Sequence, residues 1–187
     1  MKHKLFHLYK KKMISIQRKE NEIVWNRWCS NANKYPDKEA IVHWVAGEEP
    51  YRWTFSSLIS TAQKFSFLLH ESGIKKGEVC ALIIRHNPAF YPLYMAISNL
   101  RAIPAVLAYP NPRLHPDKFR QGIEGMSQRS GLDWILTERE LEPIIKPLVQ
   151  KEGSTIKGIH FPLEWYREKM ENPVNGTGGK SKNSPRT

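Results

Sequence analysis

One uninterrupted apolar segment, residues 79–84 (VCALII), constrains the fold of this chain more than any other. The segment is short for a buried helix, and it lacks the alternation of apolar and polar residues that marks a half-buried strand. It is typical of a strand that is covered on both faces, as in the parallel sheets of α/β proteins. Such a strand requires helices on both sides of its sheet, so the sequence predicts an α/β fold.

The segments before this strand predict a helix and a hairpin. Residues 21–33 place apolar side chains at mostly helical spacing. Residues 40–45 and 51–54 have the β-branched and aromatic content of two strands, and a Gly-Glu-Glu-Pro turn lies between them. We therefore expect an N-terminal helix followed by a β-hairpin.

One further helix is predicted before the apolar strand in the sequence, and another after it. Thr54 or Ser56 can cap the first, whose apolar positions repeat at three and four residues until Gly73 ends it. Asn87 and Pro88 suit the cap and the first turn of the second.

The remaining segments continue the alternation of strands and helices. In order, they are a strand at 102–107 that contains Pro104, a helix at 116–128, a strand at 133–137, a weakly helical stretch at 138–150 and a strand at 154–161. This order predicts a partial doubly wound, largely parallel sheet flanked by helices, preceded by the helix and the hairpin.

Positive charge is concentrated at the two ends of the chain. The net charge is +11, yet residues 1–20 hold seven Lys or Arg against one Glu, and residues 167–187 hold five against two. We therefore divide the chain into a basic N-terminal extension (1–20), an α/β region (21–166) and a polar, disordered tail (167–187). The small net charge of the α/β region disfavours specific nucleic-acid binding, and a basic protein that binds through residues 1–20 is the less favoured interpretation.

The cysteines and the apolar segments bear on the compartment. Cys29 and Cys80 lie in core-like contexts without a CxxC pair or a histidine at metal-binding spacing, so we expect no metal site and a reduced, cytoplasmic environment. The apolar residues near the amino end are too few for a signal peptide or a membrane span.

Several polar and aromatic side chains could suggest catalysis or base stacking, but none has a partner at a telling spacing. We expect these histidines to be structural or exposed: His43, His70, His86 and His115. Glu78 and Asp133 lie in predicted turns, where we expect solvent to surround them, and Trp44 and Trp53 are expected to pack at the core or its edge.

Three stretches resemble the amino-terminal region of the adenylate-forming superfamily, the AMP-binding acyl-CoA synthetases and acyl-AMP ligases. They are residues 35–42 (YPDKEAIV), residues 53–79 from Trp-Thr-Phe to Gly-Ile-Lys-Lys-Gly-Glu-Val, and residues 87–106 from Asn-Pro to Ala-Ile-Pro-Ala-Val. Their order and spacing across residues 21–150 carry the resemblance. The connector at 109–113 (YPNPR) is similar to the fatty acyl-AMP ligase branch.

The resemblance implies an ATP-dependent, AMP-forming ligase that activates a carboxylic acid, and in this branch a fatty acid, as an acyl-adenylate. It implies ATP and Mg²⁺ as cofactors and coenzyme A or a carrier protein as the acceptor of the acyl group.

The resemblance also implies a phosphate-binding loop near the carboxyl end. The family's loop is rich in Ser, Thr and Gly, and it cradles phosphates with backbone N–H groups and a lysine. Four residues match it: Gly176, Thr177, Gly179 and Lys182. Other positions depart from the pattern, and a polar tail without function is the alternative. A separate departure is Arg101, which stands where the family tends to have glycine.

The family's adenine-contacting segment, its ribose-binding acidic residue and its catalytic lysine would all lie beyond Thr187. We therefore expect no catalytic residue in these 187 residues and no productive cofactor binding. The predicted function is that of an N-terminal ligase fragment, inactive alone, whose remainder could be encoded separately. A non-catalytic remnant or an interaction module derived from the family is the alternative.

Overall fold

The apolar segment at residues 79–84 forms an inner strand of a four-stranded sheet. The computed structural model describes residues 24–170, and within them the sheet has the order β4-β3-β5-β6, all parallel. The strands are β3 (Val79–Ile83), β4 (Ile103–Val106), β5 (Trp134–Thr137) and β6 (Gly158–His160). Ala81 pairs with Ala105 on one side and with Ile135 on the other, so β3 is hydrogen-bonded along both edges.

Helices cover both faces of this sheet. α2 (Phe55–Glu71) and α3 (Phe90–Asn99) pack against Cys80 and Leu82, whereas α4 (Pro116–Ser130) packs against the alternate residues Ala81 and Ile83. The four strand residues are fully buried, because successive side chains of a strand point to opposite faces and each face has its own apolar cluster. The predicted doubly wound α/β architecture is confirmed.

The N-terminal helix and the hairpin form a third apolar cluster with α2 and α3. α1 spans Val24–Lys34, and β1 (Glu39–His43) pairs antiparallel with β2 (Tyr51–Thr54). Trp53 is 2% exposed at the centre of this cluster, and its indole N–H donates to the carbonyl oxygen of Pro88 at 3.0 Å. The hairpin is thereby fixed to the segment that follows β3.

The predicted limits of α2 are confirmed at both ends. The Thr54 hydroxyl accepts from Ser57 N, and Ser57 Oγ accepts from Thr54 N, which is a capping box. At the other end Gly73 has a φ of +94°, a left-handed conformation that glycine adopts without steric cost.

The predicted start of α3 is wrong by two residues. Asn87 Oδ1 accepts from Ala89 N at 2.8 Å, and the Asn87 carbonyl accepts from Phe90 N at 3.1 Å. These bonds close a separate turn over Pro88, so the helix begins at Phe90. Asn87 caps the turn rather than the helix.

The carboxyl-terminal part of the described chain completes the fold. Between β5 and β6 lie three short turns of helix: a 3₁₀ turn at Arg139–Leu141, α5 at Glu142–Ile145 and a second 3₁₀ turn at Lys146–Leu148. α6 (Pro162–Met170) follows, and its Trp165 and Tyr166 pack against the cluster under α2 and α3. The predicted domain division at residue 166 falls within α6, and it stays a prediction.

Candidate functional site

The predicted phosphate-binding residues lie outside the part of the chain that the structure describes. Gly176, Thr177, Gly179 and Lys182 all follow Met170, the last residue described. Their role therefore stays a prediction. Within the described residues, the carboxyl ends of the strands and two cavities beside them form the candidate site.

In open α/β sheets, ligands bind outside the carboxyl ends of the strands, where the strand order reverses. Here that place lies between β3 and β5, because the chain leaves β3 toward β4 and leaves β5 toward β6. Arg85 follows β3 and Glu138 follows β5, and they meet across this point. Glu138 accepts from the Arg85 backbone N–H at 2.7 Å and from its Nε at 3.0 Å.

A second carboxylate also binds the Arg85 guanidinium. Glu140 lies 2.6 Å from an Arg85 nitrogen, and the Tyr109 ring stacks 4.9 Å from the guanidinium carbon. The hydrogen bonds from Glu138 and Glu140 raise the pKa of Arg85 further above its already high ordinary value, so the group stays charged. Two carboxylates against one guanidinium leave this edge net negative, which disfavours an anionic ligand such as a triphosphate.

A polar cavity of about 240 Å³ lies beside this ion-pair cluster. His43, at the end of β1, and His86, just after β3, stack with ring centroids 4.1 Å apart. His43 is 5% exposed, and His86 lies on its outer side, where it is open to solvent. Arg85 and Asn87 also line the cavity.

An apolar cavity of about 370 Å³ adjoins the polar one. Phe90 and Tyr91 line both. The other walls are apolar or aromatic and come from α1, β1, α2, α3 and β4; they include Trp28, Ile41, Phe55, Leu58, Tyr94 and Val106. The volume lies at the lower end of the range typical of small-molecule sites.

A cluster of hydrogen-bonded, largely buried charged side chains lies at the amino ends of the strands. Glu78 accepts from Lys157 Nζ, Lys75 N and Trp134 Nε1, each at 2.7 Å, and Asp133 accepts from Val79 N and from Lys157 Nζ at 2.8 Å. Burial alone would raise the pKa of Glu78, but these hydrogen bonds outweigh it and lower the pKa. Hydrogen bonds from Asp133 and Glu78 raise the pKa of Lys157 to about 12.

The expectation that Glu78 and Asp133 are simply solvated is therefore wrong. Their side chains are only 14% and 20% exposed, and they tie the starts of β3 and β5 to the residue before β6. Neither Glu78 nor Asp133 is free for acid-base chemistry, because both are held by Lys157 and by backbone N–H groups.

The histidines considered above are structural or exposed, as the sequence predicts. His115 Nδ1 accepts from Asp117 N at the start of α4, and His70 is exposed beside Glu71. The stacking of His43 on His86 was not predicted, because 42 residues separate them and only the packing of the hairpin brings them together. Trp44 is 64% exposed, so its predicted packing is wrong.

Neither a metal cluster nor a membrane helix occurs in residues 24–170. No three His, Cys, Asp or Glu side chains there are placed to hold a metal ion. Among the same residues, every helix is too short or too polar to cross a membrane.

Comparison with known proteins places this fold in context. The family model described as AMP-binding enzyme matches residues 29–181. A fatty acyl CoA synthetase from Mycobacterium tuberculosis is similar in structure, with a TM-score of 0.57, 19% identity and coverage of 83% of this chain and 30% of that one. A fatty acid AMP ligase from Legionella pneumophila has a TM-score of 0.57 at 13% identity, with 78% and 24% covered.

A third solved structure, a long-chain-fatty-acid-CoA ligase from Archaeoglobus fulgidus, has a TM-score of 0.57 at 17% identity, with coverage of 73% of this chain and 26% of that one. The chain thus spans between 24% and 30% of the length of these three structures. At these identities the likeness establishes the fold. The search of curated proteins found no match.

Proposed function

The chain belongs to the AMP-binding enzyme family, and on that premise we propose that it supplies the amino-terminal α/β part of an ATP-dependent, AMP-forming ligase. In such a ligase a carboxylate oxygen attacks the α-phosphate of ATP, and the bond to pyrophosphate breaks, which leaves an acyl-adenylate. The observation that carries the proposal is the family match over residues 29–181, a range that includes the whole parallel sheet.

The proposed acid is a fatty acid. The solved structures compared above are a fatty acyl CoA synthetase, a fatty acid AMP ligase and a long-chain-fatty-acid-CoA ligase, and the connector at 109–113 resembles the fatty acyl-AMP ligase branch. Coenzyme A or a carrier protein is the proposed acceptor of the acyl group.

The proposal requires ATP and Mg²⁺, and the carboxyl edge of the sheet does not fit the phosphates of ATP. Arg85 cannot bind phosphate there, because Glu138 and Glu140 already neutralise it. In the complete ligase we assign the phosphates instead to the predicted loop, where backbone N–H groups of Gly176, Thr177 and Gly179 and the Lys182 ammonium would hold them together with the remainder of the enzyme. Bound Mg²⁺ would neutralise phosphate charge.

The proposed organisation is a basic extension at 1–20, the ligase-derived region at 21–166 and a polar tail at 167–187, in a cytoplasmic protein. We propose that these 187 residues alone do not form an acyl-adenylate and that a separately encoded remainder of the ligase is their partner. One observation supports the inactivity: Arg85, the cation at the switch point of the sheet, is already held by Glu138 and Glu140.

A non-catalytic interaction module is the second candidate. The apolar cavity favours it, since exposed Val106 and half-buried Tyr94 would be protected from water by a partner.

Pyrophosphate exchange into ATP distinguishes these functions. The purified 187-residue chain, assayed with fatty acids of graded length, is expected to give no exchange above the rate without protein. If the reading frame that follows in the genome encodes the other ligase domains, the mixture of both polypeptides is expected to exchange. Exchange by the chain alone would overturn the inactivity proposal, and an inactive mixture would favour the interaction module.

A further inference from the structure

The stacked histidines connect the hairpin to the segment after β3, and these two parts of the fold do not pair as strands. His43 is the last residue of β1, and His86 follows β3 in the parallel sheet. Their rings lie 4.1 Å apart at an interplanar angle of 28°. The His86 Nε2 also lies 3.3 Å from the carbonyl oxygen of Trp44, the residue after His43. The pair therefore fastens the hairpin to the end of β3.

The inner ring of the pair has no place for an added proton. His43 Nδ1 is 3.4 Å from the Tyr91 hydroxyl, and His43 Nε2 is buried without a hydrogen-bond partner. A protonated His43 would carry N–H groups on both nitrogens, and the one on Nε2 would have no acceptor. A buried donor or charge without a partner is costly, so the neutral ring fits this position.

Charged groups around the pair do not offset this cost. Glu48 in the hairpin turn attracts a proton to His43, but burial, followed by the neighbouring His86, outweighs it and lowers the pKa of His43. Arg85 is held by Glu138 and Glu140, and Tyr91 on α3 offers His43 only its hydroxyl.

We propose that the His43–His86 pair is a proton-sensitive latch that, beside the Trp53–Pro88 hydrogen bond, holds the end of β1 against the segment after β3 while His43 is neutral and loosens this contact on acidification. Loosening would also change the apolar cavity, because Ala40 and Ile41 on the same strand as His43 line it, and Tyr91 stands between it and the latch. The latch thus links the pH to access to that cavity.

The direction of the pH effect follows from proton linkage. The pKa of His43 is lower in the closed form than in the open one. At a pH well above the pKa of a free histidine, His43 is neutral in both forms, and the closed form then has its full stability. As the pH falls through about 6.5, the open form takes up a proton that the closed form does not, and the closed form loses stability. The loss continues until the pH reaches the pKa of the closed form.

Hydrogen exchange of the full chain tests the proposal. Protection factors of the β1 and β2 amides are expected to fall by up to about tenfold between about pH 7.5 and about pH 5.5, the effect of one proton bound only by the open form. His43→Phe keeps a ring for stacking and is expected to remove this dependence. Unchanged hairpin protection in the wild type, or the same pH dependence in His43→Phe, would overturn the latch.

His160, the last residue of the edge strand β6, provides a matched control. His160 is also partly buried, with Nε2 unpartnered and its ring stacked on Trp134, and burial lowers its pKa. His160→Phe is expected to remove pH dependence at β6 while leaving that of the hairpin intact. If His43→Phe does not fold, the ring protons of His43 in the wild type decide: titration below the pH of free histidine supports the latch, and titration at that pH refutes it.

Discussion

Arg101 occupies a backbone conformation that favours glycine. Its φ is +59°, and it lies just after α3, where Arg101 N donates to the Ser98 carbonyl and Ala102 N donates to the Ile97 carbonyl. This pair of bonds is a Schellman motif, whose left-handed position is usually glycine. α2 ends in the same motif with Gly73. A glycine would adopt the conformation at position 101 without steric cost, in line with the glycine that the resemblance implies there.

Arg101→Gly is expected to stabilise the protein by about 0.5 to 1 kcal/mol. The left-handed conformation costs an L-residue about 1–2 kcal/mol, and the extra freedom of glycine in the unfolded chain offsets part of the gain. Urea unfolding measures the change. Gly73→Ala, the reverse change in the matching motif, is expected to destabilise by about 1 kcal/mol. A less stable Arg101→Gly variant would contradict the assignment.

The pairing of β5 with β6 depends on a glycine beneath a fixed tryptophan. A Cβ on Gly158 would lie 2.9 Å from Trp134 Cζ3. The indole cannot move aside freely, because its Nε1 donates to Glu78 at 2.7 Å. Gly158 therefore allows the ring to lie flat across the edge strand.

Gly158→Ala is expected to destabilise the protein by about 1–3 kcal/mol, the usual cost of overpacking. Gly122→Ala is the control: Gly122 lies within α4 with nothing within 4 Å of the added Cβ, so the change should stabilise by about 0.5–1 kcal/mol. Thermal unfolding compares the two. Equal effects of the same sign would show that Trp134 does not restrict position 158.

Elements with strong local signals were predictable, and those set by distant partners were not. α2 was predicted because Thr54, Gly73 and the apolar repeat between them act within the helix itself. The start of α3 was wrong because the Asn87 side chain closes a turn instead of capping the helix. The latch and the Arg85–Glu138 pair depend on which strand ends lie together, and sequence periodicity carries no such information.

Apolar surface lies open to solvent beside the edge strand β4. Ile103 and Val106 are 52% and 55% exposed, and Val106 borders the apolar cavity. The edge itself is a poor partner for another strand. Ile103 N and Leu107 N donate to the carbonyl oxygens of Glu78 and Leu82, so the backbone nitrogen of Pro104 faces outward, and it carries no hydrogen. Association would therefore use side chains rather than strand pairing.

The isolated chain is expected to self-associate through this surface. Val106→Lys should shift its elution toward the monomer in size-exclusion chromatography, because it places a charge on exposed apolar surface. The variant should unfold at nearly the same urea concentration as the wild type, since the side chain is more than half exposed. A wild-type chain that elutes as a monodisperse monomer would refute the expectation.

On the proposed function, these residues form the scaffold of an AMP-forming ligase but do not bind the nucleotide by themselves. Calorimetric titration of the 187-residue chain with ATP and Mg²⁺ measures this binding. We predict no saturable heat of binding, because Arg85 is neutralised and the predicted loop matches the family only in part. Saturable binding that Lys182→Ala abolishes would contradict it.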